Sequence, residues 1–425
     1  MQKTLEWPWR CSLGMAIACA SSTACAGFVD DSSATLTTRN YYLDRDYKGD
    51  SPYSAAREWA QGFILKANSG FTGGTVGFGV DLTGMLGLKL DSSPDRTGTQ
   101  LLPFDPTTRK AEDEYSELGV ALKAKISKTR LSVGTQFPAL PVITASPARL
   151  VPQSFRGAYA ISDDINGLTL HTGRMDRVNL RDSTDYQPIT LASPNGRFKK
   201  GASSERFDFI GGDYQWSDTL TLRYFHAELK DLYTQDFGGV IHLLPLGPGK
   251  LKTDVRVYNS QENGHAEAGK VDNLNVGAMF SYQVAAHTLG MGYMHQTGDT
   301  AMAYIAGGEP TVLSDGTMSA DFVNPKERTW VVRYDYNFAA VGLPGLTGMA
   351  RYLRGSNIDL PHLGGSNLTE SSKDLELAYV IQSGPAKGLA VRLRHALYRN
   401  EQSAESTFRS DNETRINVDY TLKVW

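Results

Sequence analysis

The sequence predicts an all-β protein: a transmembrane antiparallel β-barrel of about 18 strands, with short periplasmic turns, long extracellular loops and an inward-folded constriction loop. Three observations predict this fold. Apolar and polar residues alternate along many segments, and the connections between these segments alternate in length. Beyond the N-terminus, the 425-residue chain has no apolar run long enough for a spanning helix. The mean hydropathy of −0.33 agrees with a barrel, because half of each strand must be polar to line a lumen.

Residues 1–26 resemble an export signal, and residues 27–425 are expected to form the barrel domain. Lys3 and Arg10 carry positive charge, an apolar stretch follows, and residues 24–26 (ACA) have the small-x-small form of a cleavage site. We therefore expect the segment to be removed after this motif; the alternative is a short N-terminal helix. All three cysteines lie in the segment, so the mature chain is expected to have no disulfide.

Alternation with a period of two residues defines the strands. In residues 75–83, for example, every second side chain is apolar and the others are Thr, Gly or Asp. The same pattern recurs in residues 117–126, 330–338 and 415–423. The sequence predicts strands near residues 33–43, 57–69, 74–88, 115–126, 129–137, 153–162, 165–175, 205–214, 218–228, 235–245, 250–258, 271–284, 286–297, 326–338, 346–354, 371–382, 388–399 and 413–424.

The connections separate a barrel from a soluble β-sandwich, in which the apolar face would form a core. Short turns are expected at residues 127–128, 163–164, 215–217 and 247–249. Long loops are expected at residues 44–56, 89–114, 138–152, 176–204, 298–325, 355–370 and 400–412. Long loops at one end and tight turns at the other are typical of an outer-membrane barrel, and an even strand number places both termini at the short-turn end.

Residues 138–152 (PALPVITASPARLVP) indicate what narrows the lumen. Four prolines in an apolar stretch predict a stiff segment that folds inward as a constriction. The alternative is an ordinary surface loop.

Several arginines are predicted to share one stretch of inner wall, because in a closed barrel the last strand pairs with the first. They are Arg39, Arg333, Arg351, Arg392, Arg394 and Arg415. A file of guanidinium groups offers successive bidentate partners to a carboxylate, without one trap too deep to leave. The alternative is that these groups form ion pairs with Asp335, Glu376 and Asp419 that only brace the barrel.

No cofactor, metal ion or nucleic acid is expected as a partner, and no catalytic residue is predicted. The formal charge of −3 gives no basic signal for nucleic acid, and the eight histidines show no spacing typical of metal ligands. The alternative from another class is an enzyme on an outer-membrane barrel, such as a lipid hydrolase.

The mature chain resembles the OprD family of substrate-specific outer-membrane porins, the outer membrane carboxylate channels, in order along its length. The resemblance lies in residues 58–69 (EWAQGFILKANS), 74–94 (GTVGFGVDLTGMLGLKLDSSP), 211–214 (GGDY), 244–247 (LPLG), 269–280 (GKVDNLNVGAMF), 333–353 (RYDYNFAAVGLPGLTGMARYL), 379–385 (YVIQSGP) and 420–422 (YTL).

The resemblance implies a ladder of basic side chains that faces a more acidic side of the constriction. The ladder carries over best onto Arg39, Arg392, Arg394 and Arg415 and less directly onto Arg333, Arg351 and Lys373. On the acidic side, the Gly298-Asp299 pair places Asp299 in the long loop at 298–325, which is the seventh connection at the long-loop end of the predicted barrel.

The resemblance also implies passive, substrate-selective uptake of small water-soluble molecules that carry a carboxylate, with aromatic or other organic acids favoured. A channel for basic amino acids or peptides is the alternative within the family. The expected location is the outer membrane of a Gram-negative bacterium. The expected partners are outer-membrane lipid, lipopolysaccharide and the barrel-assembly machinery, for which the terminal Trp425 is a signal. A monomer or a weak homotrimer is expected.

Overall fold

The structure is a computed structural model that describes residues 26–425, so the predicted signal peptide lies outside the described residues except for its last position. Within this range, 18 long strands form one closed antiparallel barrel, as expected. They are β1 Ser33–Tyr47, β2 Ala55–Asn68, β3 Val76–Asp91, β4 Glu114–Ile126, β5 Thr129–Gln136, β6 Ser154–Ile165, β7 Leu168–Asn179, β8 Phe207–Ser217, β9 Leu220–Leu229, β10 Tyr233–Leu246, β11 Gly249–Glu262, β12 Asp272–Val284, β13 His287–Thr297, β14 Arg328–Asn337, β15 Leu346–Leu360, β16 Gly365–Val380, β17 Ala390–Asn400 and β18 Asp411–Lys423.

The barrel closes where β1 pairs with both β2 and β18. Arg39 lies opposite Gly62 on one side and opposite Asp419 on the other. The backbone N–H of Ala34 donates to the carbonyl oxygen of Trp425 at 3.2 Å, so the end of the chain lies beside the start of β1. The two ends of the described range 26–425 therefore lie at one rim, which also carries the short turns.

Short elements complete the described chain. A five-residue helix, α1 (Ala26–Asp30), precedes β1. Two-residue strands Ala139–Leu140 and Ile143–Thr144 pair with each other, as do Ile189–Thr190 and Ser203–Ser204. Tyr186–Gln187 pairs with β7, and three 3-10 turns span Pro194–Gly196, Phe338–Val341 and Pro361–Leu363. Between residues 26 and 425, no helix is long and apolar enough to cross a membrane.

Three connections differ from the prediction. The turn expected at 215–217 lies at 218–219, because β8 extends to Ser217 and β9 begins at Leu220. The expected long loop at 355–370 is a continuous hairpin, because β15 extends to Leu360 and β16 begins at Gly365. Ile358, Leu360, Leu363 and Leu368 pack together there, and this small apolar cluster stabilises the extension. The turn expected at 163–164 lies at 166–167, where Gly167 has a φ of +76°, a conformation that favours glycine.

The two faces of the wall differ sharply. Outward side chains are mostly apolar and exposed; Leu118, for example, retains 77% of its accessible surface. Inward side chains are covered by loops that enter the lumen, so the buried apolar clusters lie between the loops and the inner wall. This arrangement is expected when the outer face contacts lipid.

Two loops fill the lumen. The predicted inward fold of residues 138–152 is confirmed, because Leu150 is fully buried against Gly62 of β2. A Cβ on Gly62 would lie 3.0 Å from Leu150 Cγ, so glycine permits this close approach. The 298–327 connection also folds inward, which the sequence analysis did not predict; Met302 and Phe322 are fully buried.

Candidate functional site

A cavity of about 550 Å³ lies inside the barrel near the long-loop end. Its lining comes from β1, β2 and the loop between them, from the inward loops 137–153 and 298–327, and from the loops at 92–113, 180–206 and 401–410. Its basic side chains are Arg45, Arg109, Arg149, Arg181 and Arg409. Its acidic side chains are Glu309, Asp315 and Asp321, all from the 298–327 loop.

A second cavity of about 440 Å³ lies nearer the short-turn end and is lined by Arg256, Arg333 and Arg351 among others. Asp315 lines both cavities. The middle of the 298–327 loop therefore lies between the two cavities.

Arg39 joins the barrel seam to the first inward loop. Its Nε atom lies 3.0 Å from Asp419 Oδ1 across the β1–β18 pairing. Its Nη1 atom donates to the carbonyl oxygens of Pro147 at 3.2 Å and Arg149 at 2.8 Å. This guanidinium therefore braces the wall and positions the 137–153 loop.

Arg394 and Arg415 lie opposite each other on β17 and β18. Arg394 Nη2 donates to the hydroxyl of Tyr41 at 3.1 Å and to Asn417 Oδ1 at 3.0 Å. Arg415 is buried, pairs with Glu413 and donates to the carbonyl oxygen of Met318 at 2.6 Å. Arg415 thus anchors the 298–327 loop to the wall.

Arg392 is the most accessible of these groups, with half of its side chain exposed and Glu376 at 3.8 Å. Arg333 lines the second cavity and pairs with Asp335 at 2.7 Å. Arg351 pairs with Asp374 at 2.7 Å and donates to the carbonyl oxygens of Asp315 and Gly316 at 3.0 and 2.8 Å. All six predicted arginines face inward, and most are engaged in ion pairs or loop anchoring.

Two predicted residues lie elsewhere. Lys373 is exposed on the outer face of β16 together with Leu375, because the alternating residues Ser372 and Asp374 are the buried, inward ones. Asp299 pairs with exposed Lys270 at the start of the 298–327 loop and does not line the described cavity. The placements of Lys373 and Asp299 at the constriction are therefore corrected.

Arg149 and Arg181 are the residues that sequence reasoning missed most clearly. Arg149 lies in the predicted inward loop, so its position there was the available signal. Its Nε atom donates to the carbonyl oxygen of Thr99 at 2.9 Å. Arg181 Nη2 donates to Gln100 Oε1 at 2.8 Å, and its nearest carboxylate, Glu309, is 3.9 Å away.

Burial sets the electrostatics of these groups. It lowers the pKa of Arg149, and the nearby guanidinium groups of Arg415 and Arg181 lower that pKa further. Burial raises the pKa of Asp315, and the Glu309 carboxylate raises it further. The cavity thus contains a buried cation, Arg149, that is short of counter-charge, and two carboxylates, Asp315 and Glu309, whose charges repel each other. In the described part of the chain, no three His, Cys, Asp or Glu side chains are grouped as metal ligands would be.

Comparison with known proteins identifies the family. Residues 26–424 match the family model described as outer membrane porin, OprD family. The chain is 38% identical to Porin D of Pseudomonas aeruginosa over 420 residues, which is 94% of this chain and 92% of that protein.

Solved structures agree over the same length. The crystal structure of Acinetobacter baumannii OccAB2 has 44% sequence identity and a TM-score of 0.90, covering 94% of this chain and all of that one. The crystal structure of Pseudomonas aeruginosa OpdK with vanillate has 36% identity and a TM-score of 0.86, with coverage of 94% and 100%. The chain therefore belongs to the OprD family and is an outer membrane porin of a Gram-negative bacterium.

Proposed function

We propose that the protein is a passive channel that selects small water-soluble molecules bearing a carboxylate, with aromatic and other organic acids favoured. The observation that carries this proposal is the 550 Å³ cavity in which five arginines face three carboxylates. A substrate carboxylate would supply the missing counter-charge through charge-assisted hydrogen bonds.

The positive charge is not cancelled locally. Among residues 26–425, Arg109, Arg149 and Arg409 have no carboxylate oxygen within 4.0 Å. Conversely, Asp321 is occupied by Arg197, whose nitrogens lie 2.6 and 2.8 Å from its oxygens. The lining thus retains guanidinium groups that a carboxylate entering the cavity can pair with.

Aromatic side chains support a preference for planar acids. The guanidinium of Arg109 lies 4.3 Å from the ring centre of Tyr53, and that of Arg409 lies 5.7 Å from the ring of Tyr47. Phe408 lines the same cavity. A flat acid could stack beside these rings while its carboxylate meets an arginine. OpdK, a relative in the same family, has been crystallised with vanillate, itself an aromatic carboxylate.

We propose that the inward arginines form a stepwise path. Arg45, Arg394 and Arg392 descend along β1 and β17, with the buried charge of Arg415 on β18 beside them, and Arg333 and Arg351 continue toward the second cavity. Because most of these groups are already paired, each offers only moderate attraction, which lets an anion move on.

The alternative of a channel for basic amino acids has one observation in its favour. Glu309 and Asp315 line the same cavity as the arginines and could hold an ammonium group. Block of the ionic current by benzoate or by arginine separates the two proposals. We expect benzoate to block at the lower concentration; stronger block by arginine would favour the alternative.

Planar-bilayer recordings of R392Q/R394Q test the path. Loss of two inward charges is expected to reduce anion selectivity and weaken benzoate block. The matched control is R156Q/R174Q, which removes two outward arginines of β6 and β7 that pair with Asp176 and Asp208. Unchanged selectivity and block in R392Q/R394Q would contradict the path.

We further propose that the barrel carries no catalytic activity, that it is a monomer or a weak homotrimer, and that the barrel-assembly machinery inserts it into the outer membrane. A lipase assay on folded protein is expected to show no hydrolysis. Light scattering in detergent is expected to give the mass of one or three chains.

A further inference from the structure

Four basic side chains lie on the outer face of the barrel, on the adjacent strands β14 to β17 near the long-loop end. They are Arg328, Arg354, Lys373 and Arg399, and all four are exposed. Alternation fixes their direction, because Thr329, Leu353, Ser372 and Tyr398 beside them are buried on the inner face. We call these four residues the outer basic patch.

The strand registers bring the patch together. Trp330 lies opposite Arg354, Arg354 lies opposite Ser371, and Ser371 lies opposite Arg399. Lys373 is two residues below this row and Arg328 is two residues above it. Since neighbouring strands are about 4.8 Å apart, the four strands span about 14 Å. A group of this width could contact one or two phosphates at once.

The patch lies at the border of the apolar band. Below it, the outward positions are apolar or aromatic, as shown by the exposed Val332, Leu375 and Leu393. Trp330 and Tyr352 are exposed among the basic side chains, where an aromatic girdle is expected. At this depth the aliphatic stems can lie on apolar surface while the charges reach the headgroup layer.

The patch is not neutralised by the protein. In the 26–425 range, none of its four side chains has a carboxylate oxygen within 4.0 Å. Arg399 instead donates to the carbonyl oxygens of Tyr398 and Asp411 and to Asn412 Oδ1.

Outward arginines elsewhere on the barrel are paired. Arg156 lies 2.5 Å from Asp176, and Arg174 lies 2.5 Å from Asp208, which Arg206 also contacts. Unpaired positive charge is therefore a property of the β14–β17 face and not of every outward arginine.

We propose that the outer basic patch binds the phosphate groups of an anionic lipid in the outer leaflet. Arginine is suited to this role because its planar fork meets phosphate oxygens in pairs, and lysine adds a point charge. The site is on the lipid side of the wall, so it is independent of the solute path through the lumen.

Binding of diphosphoryl lipid A to the purified, folded protein in a neutral detergent tests the proposal. The patch variant is R354Q/K373Q/R399Q. The control is R156Q/R174Q/R206Q, which removes the same number of outward charges from paired positions. We expect the patch variant to bind about tenfold more weakly or worse, and the control to bind within about twofold of the unaltered protein.

Four results would overturn the proposal. Equal affinity of the unaltered protein and the patch variant would remove the site. An equal loss in the control would indicate a general charge effect. Binding of dephosphorylated lipid A as tight as that of the diphosphoryl form, measured on the unaltered protein, would show that acyl chains and not phosphates are recognised. Inorganic phosphate at matched concentration is expected not to compete; competition would reassign the patch to free phosphate.

Discussion

At the scale of single residues, Arg149 is unusual because it is a buried arginine without a carboxylate partner among the described residues. Its side chain is only 6% exposed and hydrogen bonds to backbone carbonyls, but among residues 26–425 it has no carboxylate within ion-pair distance. An unpaired buried charge costs stability, and an anion in the cavity would remove that cost. Arg415 is equally buried but is paired with Glu413.

Neutralisation of Arg149 is expected to weaken ligand block without loss of stability, whereas neutralisation of Arg415 is expected to lower stability. R149Q should weaken benzoate block about tenfold, the effect of losing one charge-assisted hydrogen bond, and should leave resistance to urea unchanged or higher. R415Q should lower the free energy of unfolding by about 3 kcal/mol, because it breaks a buried ion pair. Bilayer recordings and urea titrations check both variants. A stability loss in R149Q as large as that in R415Q would show that Arg149 is structural.

Residue positions could be predicted only where a regular strand carried them. Arg392 and Arg394 lie in an alternating segment, so their inward direction followed from the period of two. Lys373 was assigned at the edge of an expected loop. The structure shows that β16 is continuous through this position, which places Lys373 beside Leu375 on the outer face. Arg181 lies in an irregular loop and had no periodic signal.

At the scale of elements, the 298–327 loop is held inside the lumen by partners that are distant in sequence. The side chain of Arg197 is fully buried, pairs with Asp321 and donates to Asn324 Oδ1 at 2.7 Å. Tyr304 donates to Asp321 at 2.7 Å. Asp321 is therefore the centre of the anchor, and its loss would leave a buried guanidinium without its counter-charge.

D321N is expected to loosen this loop. Breaking the buried pair should cost about 3 kcal/mol, and the freed loop should give a noisier current and faster proteolytic cleavage within 298–327. D299N is the matched control, because Asp299 belongs to the same loop but pairs with Lys270 in solvent. Cleavage that is no faster in D321N than in D299N would contradict this anchor.

The two inward loops differ in how far the sequence reveals them. Residues 138–152 carry four prolines and apolar side chains, a local pattern that favours a stiff buried segment. The 298–327 loop is fixed mainly by distant arginines, such as Arg197 and Arg351, and no pattern within its own residues reports such contacts. The acidic side of the cavity was missed for the same reason.

At the scale of the whole molecule, the barrel class was predictable because alternation and connection length are global regularities. Every predicted strand overlaps an observed one. The closing β1–β18 pair depends on the full chain, and it carries Arg39, which contacts both Asp419 and the 137–153 loop.

A charge swap separates the two roles of Arg39. R39D should weaken the seam by about 1 kcal/mol, seen as a lower urea midpoint, because two carboxylates then face each other. R39D/D419R should recover most of that loss by restoring an ion pair. R39D is also expected to alter the conductance, because Arg39 no longer holds the 137–153 loop. The double variant should not restore the original conductance, because the hydrogen bonds to that loop remain absent. A double variant no more stable than R39D would contradict the seam pair.

The β1–β18 pair also makes the solute selectivity of the channel depend on closure of the barrel. The hydroxyl oxygens of Thr37 and Thr421 are 2.8 Å apart although 384 positions separate them in the chain. The inward arginines of β1, β17 and β18 come together only once β1 has paired with β18, the pairing with the greatest separation in sequence. A chain that stopped before β18 would have two open edges and would lack Arg415 and Asp419. The arginine-lined lumen is therefore completed in the same step that closes the barrel. A chain without β18 would not have the selectivity of the closed barrel.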